Sequence, residues 1–139
     1  MATTIRAKLS EKNKYWVDKH RYYELKHFCL QYPVWKAAYT AIDGFVGRSS
    51  DLAGYSKTNI HSDPTPKCAE EKAYYRKRID IIERAAIEAD PDLSDYILKA
   101  VTEELSYTYL KTRLELPCGR DMYYDRYRRF FWLLNTLRK

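Results

Sequence analysis

From Lys67 to Asp90 the chain runs without a proline or glycine. Through it Cys68, Lys72, Tyr75, Ile79, Ile82, Ala86 and Ala89 return at alternating steps of four and three residues. That spacing places them along one seam of an α-helix and cannot be met by a strand, whose side chains alternate with period two. Glu70, Arg76, Lys77, Arg78 and Arg84 fall mostly outside the seam, and Asp90-Pro91 ends the helix. A seam of this length needs a helical partner, within the chain or in a dimer. With only 4 glycines, 32% charged residues and no segment alternating with period two, the whole chain reads as all-α.

The nearest partner in the sequence is the N-terminal helix, which runs from a cap at Ser10, or else Asn13, to about Tyr32. Leu9, Trp16, Tyr23 and Leu30 recur every seven residues, with Tyr15, Tyr22, Leu25 and Cys29 beside them. Lys12, Lys19, Arg21 and Lys26 occupy the other side. Pro33 interrupts, and a short helix from Val34 to Ile42 stops at Gly44. Residues 44–66 carry Gly, Ser, Asn, Asp and Pro without periodicity and read as a long polar loop. Residues 1–90 are thus expected to form an antiparallel helical hairpin, or coiled coil, with loop 44–66 inside it.

Residues 91–139 form a second unit. Asp92 is placed to cap a helix of about Leu93 to Glu104, with Asp95 three residues on, and Ser106 to cap Tyr107 to Leu114. Leu116-Pro117-Cys118-Gly119 then makes a turn, and a final helix begins near Arg120. Three helices with such a turn are the minimum scaffold of a helix-turn-helix.

On the final helix, Tyr124, Tyr127, Phe131 and Leu134 make an inward stripe, leaving Arg120, Tyr123, Arg126 and Arg129 outward. From Arg120 to the end six Lys/Arg face two Asp/Glu, a net charge of +4. Arginine's paired donors match a guanine edge or a phosphate, and tyrosine adds a plane with one hydroxyl. Arg120, Tyr123 and Arg126 are the expected base readers, with Lys111, Arg113 and Arg129 on phosphates.

The stretches Leu116-Pro117-Cys118-Gly119-Arg120 and Tyr123-Tyr124-Asp125-Arg126 resemble the Leu-Pro, small or polar, Arg, then Tyr-Tyr pattern of bacteriophage late-transcription regulators of the ArpU and RinA type. Those regulators have a sigma region-4-like helix-turn-helix. The resemblance covers residues 93–139 by motif and the rest by architecture. It implies a phage or prophage transcriptional regulator that binds double-stranded DNA.

The charge distribution agrees with an anionic partner. Of the formal +6, residues 1–36 hold +5, residues 37–92 hold −2 and residues 93–139 hold +3. Cys29, Cys68 and Cys118 are odd in number and far apart, and His20 and His27 sit seven apart, so neither a disulfide framework nor a metal site is expected. No cofactor is implied. No signal peptide or membrane span is visible, which reads as a soluble, cytoplasmic protein with no membrane partner. Catalytic motifs are missing from the sequence, so a non-enzymatic role is expected.

A second class of function is a phage-encoded inhibitor or adaptor that binds a host transcription or defence protein, for which the 14 tyrosines and 3 tryptophans speak. A third is a packaging or replication accessory. The apolar run Phe130-Phe131-Trp132-Leu133-Leu134 exceeds what a solvated helix needs, and a homodimer is expected to cover it.

Overall fold

In the computed structural model the described residues are 13–51 and 66–138, with side chains described for 13–42 and 67–138. They form six α-helices and no strand: α1 (Lys19–Leu30), α2 (Tyr32–Asp51), α3 (Pro66–Ala89), α4 (Ser94–Glu103), α5 (Tyr107–Arg113) and α6 (Arg120–Leu137). The protein is all-α.

Two compact units divide the chain, one within Met1–Tyr32 and Ile81–Lys139, the other within Pro33–Asp80. α1, α4, α5 and α6 belong to the first, together with the C-terminal end of α3.

The N-terminal helix starts later than the sequence suggested. Asn13 makes a local turn, accepting from Tyr15 N (2.8 Å) and Trp16 N (3.0 Å), and it is Asp18 that caps α1 by accepting from His20 N at 3.1 Å. An aspartate in extended backbone satisfies a first-turn N–H that would otherwise lack a partner. The first choice of cap, Ser10, lies outside the described residues. The row that α1 buries is Tyr22, Leu25, Phe28 and Cys29, while Trp16 and Tyr23 remain 39% and 38% exposed. Of the seven-residue row, Trp16 and Tyr23 therefore face out, Leu30 is half-buried and Leu9 lies outside the described residues, while the row beside it forms the core.

Pro33 does not separate two helices by a gap. It is the second residue of α2, where the missing N–H costs nothing because first-turn N–H groups have no intrahelical acceptor. α2 continues through Gly44 and Gly47 to Asp51, so the expected loop at 44–66 is helical in its first part. Residues 52–65 lie outside the described residues.

α3 matches its seam. Ile79, Ile82, Ala86 and Ala89 are buried, and Cys68, Lys72 and Tyr75 are half-buried. Its contacts differ from a hairpin with the N-terminal helix. Within the unit Pro33–Asp80, α3 meets α2: Arg76 donates to the Tyr39 hydroxyl at 3.1 Å, and the Lys72 ammonium lies 5.3 Å from the Tyr39 ring. α1 instead packs on α4 and α6.

The core of the first unit lies where α1, α4 and α6 meet and α5 closes against α4. Leu25, Cys29, Ile82, Ile97, Leu110, Leu116, Tyr123, Phe130 and Leu134 are its largest fully buried side chains. Each large apolar one contributes roughly 1.5–3 kcal/mol by leaving water. Phe131 links the layers, with its ring 4.9 Å from that of Tyr22 and 5.0 Å from those of Tyr127 and Phe130. The apolar run of α6 is thus mostly consumed inside one chain; Trp132 alone of its five residues is exposed. Arg21 and Arg138 add polar ties between α1 and the end of α6. The Arg21 Nε donates to Asn135 at 2.7 Å, and the Arg138 guanidinium covers the Phe28 ring.

Candidate nucleic-acid interface

The corner made by α5, the turn at residues 114–119 and α6 is closed from inside by short-range chemistry. Ser106 caps α5 by accepting from Tyr109 N at 3.1 Å. Leu114 N and Leu116 N both return to the Leu110 carbonyl, at 3.2 and 3.0 Å. Between them Glu115 takes the left-handed conformation (φ 56°), which a residue with a Cβ adopts only when its surroundings hold it there.

Lys111 completes the closure. Its ammonium donates to the Leu116 carbonyl at 3.1 Å and the Cys118 carbonyl at 3.0 Å, on the far side of the turn. It was expected on a phosphate. Here its ammonium, on an exposed residue, also holds two backbone acceptors of the turn.

Tyr123, an expected base reader, is fully buried. Its ring lies 5.5 Å from Tyr107, 5.3 Å from Tyr124 and 6.0 Å from Tyr127, and no hydrogen-bond partner reaches its hydroxyl. Burial pushes its phenol well above the ordinary value, with Tyr124 adding to the shift. The inward stripe is Tyr123, Tyr127, Phe130, Phe131 and Leu134, while Tyr124 is half-buried at its edge. A face turned by one residue relative to the expected stripe removes Tyr123 from any groove.

Arg126 is likewise engaged. Its Nε donates to Asp90 Oδ2 at 3.0 Å, and a terminal nitrogen pairs with the adjacent Asp125. The hydrogen bond to Asp90 raises its already high pKa. Asp90 is itself nearly buried, and its Oδ1 accepts from Asp92 N (2.9 Å) and Leu93 N (3.3 Å). Asp90 therefore closes the turn that leads into α4 and ties α6 to that turn; the N-cap position of α4 is Leu93, with no side-chain hydrogen bond, so the cap expected at Asp92 is not made. The sequence signal was the Asp-Pro-Asp turn, but the partner 36 residues on had none.

Of the remaining expected residues two stay available. Arg113 and Arg120 are exposed, one on each side of the turn, and neither meets a carboxylate among the described residues. The Arg120 guanidinium lies 4.9 Å from the Tyr107 ring and 5.9 Å from that of Tyr124, which limits its directions without removing it from water. Arg129 and its neighbour Arg128 are half-buried, each with a buried Nε that no acceptor reaches. Gly119 is the N-cap of the 18-residue α6, with no side-chain acceptor for the first-turn N–H groups. Asp121 in that first turn is exposed.

Tyr107 and Arg128 were not singled out from the sequence. Tyr107 follows a capping serine and could have been placed at the corner on that ground. Among the described residues no three His, Cys, Asp or Glu side chains gather as metal ligands, and no helix is long and apolar enough to cross a membrane.

The fold and corner define a class, an all-α protein with a locked turn ahead of its longest C-terminal helix. No protein-family model, curated protein or solved structure matches the chain.

Proposed function

We propose that this protein is a non-enzymatic DNA-binding protein that meets the duplex backbone with the α5–α6 corner. The resemblance in residues 93–139 points to transcriptional regulation in a phage or prophage. One observation carries the reading. The N-terminus of α6 has no side-chain cap, Arg120 is its first residue and Arg113 ends α5 before the turn, both exposed and without a carboxylate partner among the described residues. Open N–H groups at the positive end of a helix, flanked by two arginines, suit a phosphate. Phosphate contact at this corner would set the register in which α6 approaches a groove.

The test is duplex binding across a salt series. Arg113→Ala and Arg120→Ala should each lower the slope of log affinity against log salt by about one, as for the loss of one phosphate contact. Tyr123→Phe should leave the affinity unchanged, because the hydroxyl it removes lies in the core. Gly119→Asp is the sharpest variant. Gly119 has open space where a Cβ would be and extended backbone (φ −81°, ψ 174°), so an aspartate there can cap α6. It should raise stability by a few tenths of a kcal/mol while weakening the duplex complex. No binding at low salt, or binding indifferent to all three charge changes, would refute the reading.

A second reading, a protein-binding inhibitor or adaptor of a host transcription or defence protein, rests on a different observation. Residues 13–32 and 81–138 carry thirteen Lys/Arg and twelve Asp/Glu, a nearly neutral balance, and expose Trp16, Tyr23 and Trp132. A contact of that kind is held by apolar burial and should persist at high salt.

A further inference from the structure

The outward face of α6 carries a second pattern. Met122, Asp125, Arg129, Trp132 and Thr136 follow steps of three and four opposite the buried stripe. Met122 is 45% and Trp132 39% exposed, and the Asp125 side chain is 42% exposed. Arg129 has no carboxylate partner, and its buried Nε has no acceptor. Arg126 takes Oδ2 of Asp125, which leaves Oδ1 open.

These residues are symmetric about Tyr127. Met122 and Trp132 lie five positions to either side of it, Asp125 and Arg129 two. In an antiparallel helix pair related by a two-fold axis, positions equally spaced about the centre face each other across the interface. We infer that α6 pairs with α6 of a second copy of this chain, centred on Tyr127, with Asp125 of each copy against Arg129 of the other and Met122 against Trp132.

Each contact occurs twice. The two ion pairs give each Arg129 guanidinium the carboxylate partner it lacks within its own chain, met by its terminal nitrogens, and the thioether meets an aromatic ring at either end. A parallel pairing would set Asp125 against Asp125 and Arg129 against Arg129, so the charges select the antiparallel arrangement. The inference goes beyond the proposed function. In such a pair the two Arg120 residues stand about 21 Å apart along the helix direction, at about 1.5 Å per residue. Adjacent half-sites need roughly 34 Å, so the pair is a form of the free protein.

The experiment is sedimentation velocity of the full chain without DNA, which keeps its outcome independent of the DNA reading. The wild type should show a reversible monomer–dimer equilibrium, and Asp125→Arg alone or Arg129→Asp alone should remain monomeric. An equimolar mixture of the two variants should recover a dimer, because both facing pairs become complementary again in the mixed species. Mixing cannot repair a misfolded chain, and circular dichroism of each variant checks helix content. A monomeric wild type overturns the inference, and so does a mixture that stays monomeric. A dimer that survives both single changes places the interface elsewhere and overturns it equally.

Discussion

Replacing Asp90 by alanine tests whether Arg126 is a structural pin or a reader of bases. Two losses follow. Asp90 Oδ1 accepts from Asp92 N and Leu93 N in the turn before α4, and loss of such local hydrogen bonds costs about 1 kcal/mol. The Oδ2 contact with Arg126 joins a side chain 11% exposed to one 32% exposed, so solvent screening limits it to about 0.5–1 kcal/mol. Arg126 keeps its contact with Asp125 and is not left without a partner. The total is about 1.5–2 kcal/mol. At roughly 3–5 °C per kcal/mol for a chain of this size, the midpoint of thermal unfolding should fall by about 5–10 °C. Asp90→Asn retains an acceptor for the turn and should lose only the smaller part. Urea unfolding of Asp90→Ala, Arg126→Ala and the double variant should give a coupling of about 0.5–1 kcal/mol. Strict additivity, or a cost below about 0.5 kcal/mol for Asp90→Ala, would show that the contact does not hold α6 to α4. On DNA, Arg126→Ala should affect preferred and random duplexes equally; a loss confined to one sequence would restore it as a base reader.

Two further outcomes follow from the same region. Lys111→Met should destabilise the protein by roughly 1–2 kcal/mol, because the Leu116 and Cys118 carbonyls lose a charged donor, and should leave the salt dependence of duplex binding unchanged; a flattened salt slope in a folded variant would return Lys111 to a phosphate. The phenols of Tyr22, Tyr32, Tyr123 and Tyr127 are all raised above 10.0, chiefly by burial. Their contribution to stability is therefore complete below about pH 10, where unfolded tyrosines are protonated, and is lost as pH rises towards the folded values. A base titration should show phenolate absorbance rising in two stages, the second together with loss of helix; ionisation of all 14 tyrosines in one step before any unfolding would contradict it.

Helix content was legible because it rests on local spacing. The α3 seam, the Ser106 cap of α5 and the break before α6 each depend on residues within one or two turns of each other. The start of α1 was harder, since Ser10, Asn13 and Asp18 are all acceptable caps and the choice fell to Asp18. The seven-residue row through Trp16 and Tyr23 is as regular as the buried row beside it, and regularity alone does not say which one meets α4 and α6. Pro33 signalled a boundary correctly, but a proline fits the first turn of a new helix as well as it ends an old one.

The corner shows where sequence periodicity runs out. Tyr123 and Tyr124 are adjacent, and either continues a three-and-four pattern through Tyr127 and Phe131, so the stripe can turn by one residue without breaking its spacing. What favours Tyr123 is Tyr107, whose ring meets it from α5 across a turn whose left-handed Glu115 carries no residue signal. The roles of the cations were set in the same way. Lys111, Arg113, Arg120 and Arg126 look equivalent as a basic cluster, yet two of them hold backbone or carboxylate oxygens within the chain. Lys111 closes the turn between Arg113 and Arg120, and Arg126 ties α6 to the turn before α4, so positive charge that the sequence offers to DNA is divided between building the fold around the corner and leaving Arg113 and Arg120 without carboxylate partners among the described residues.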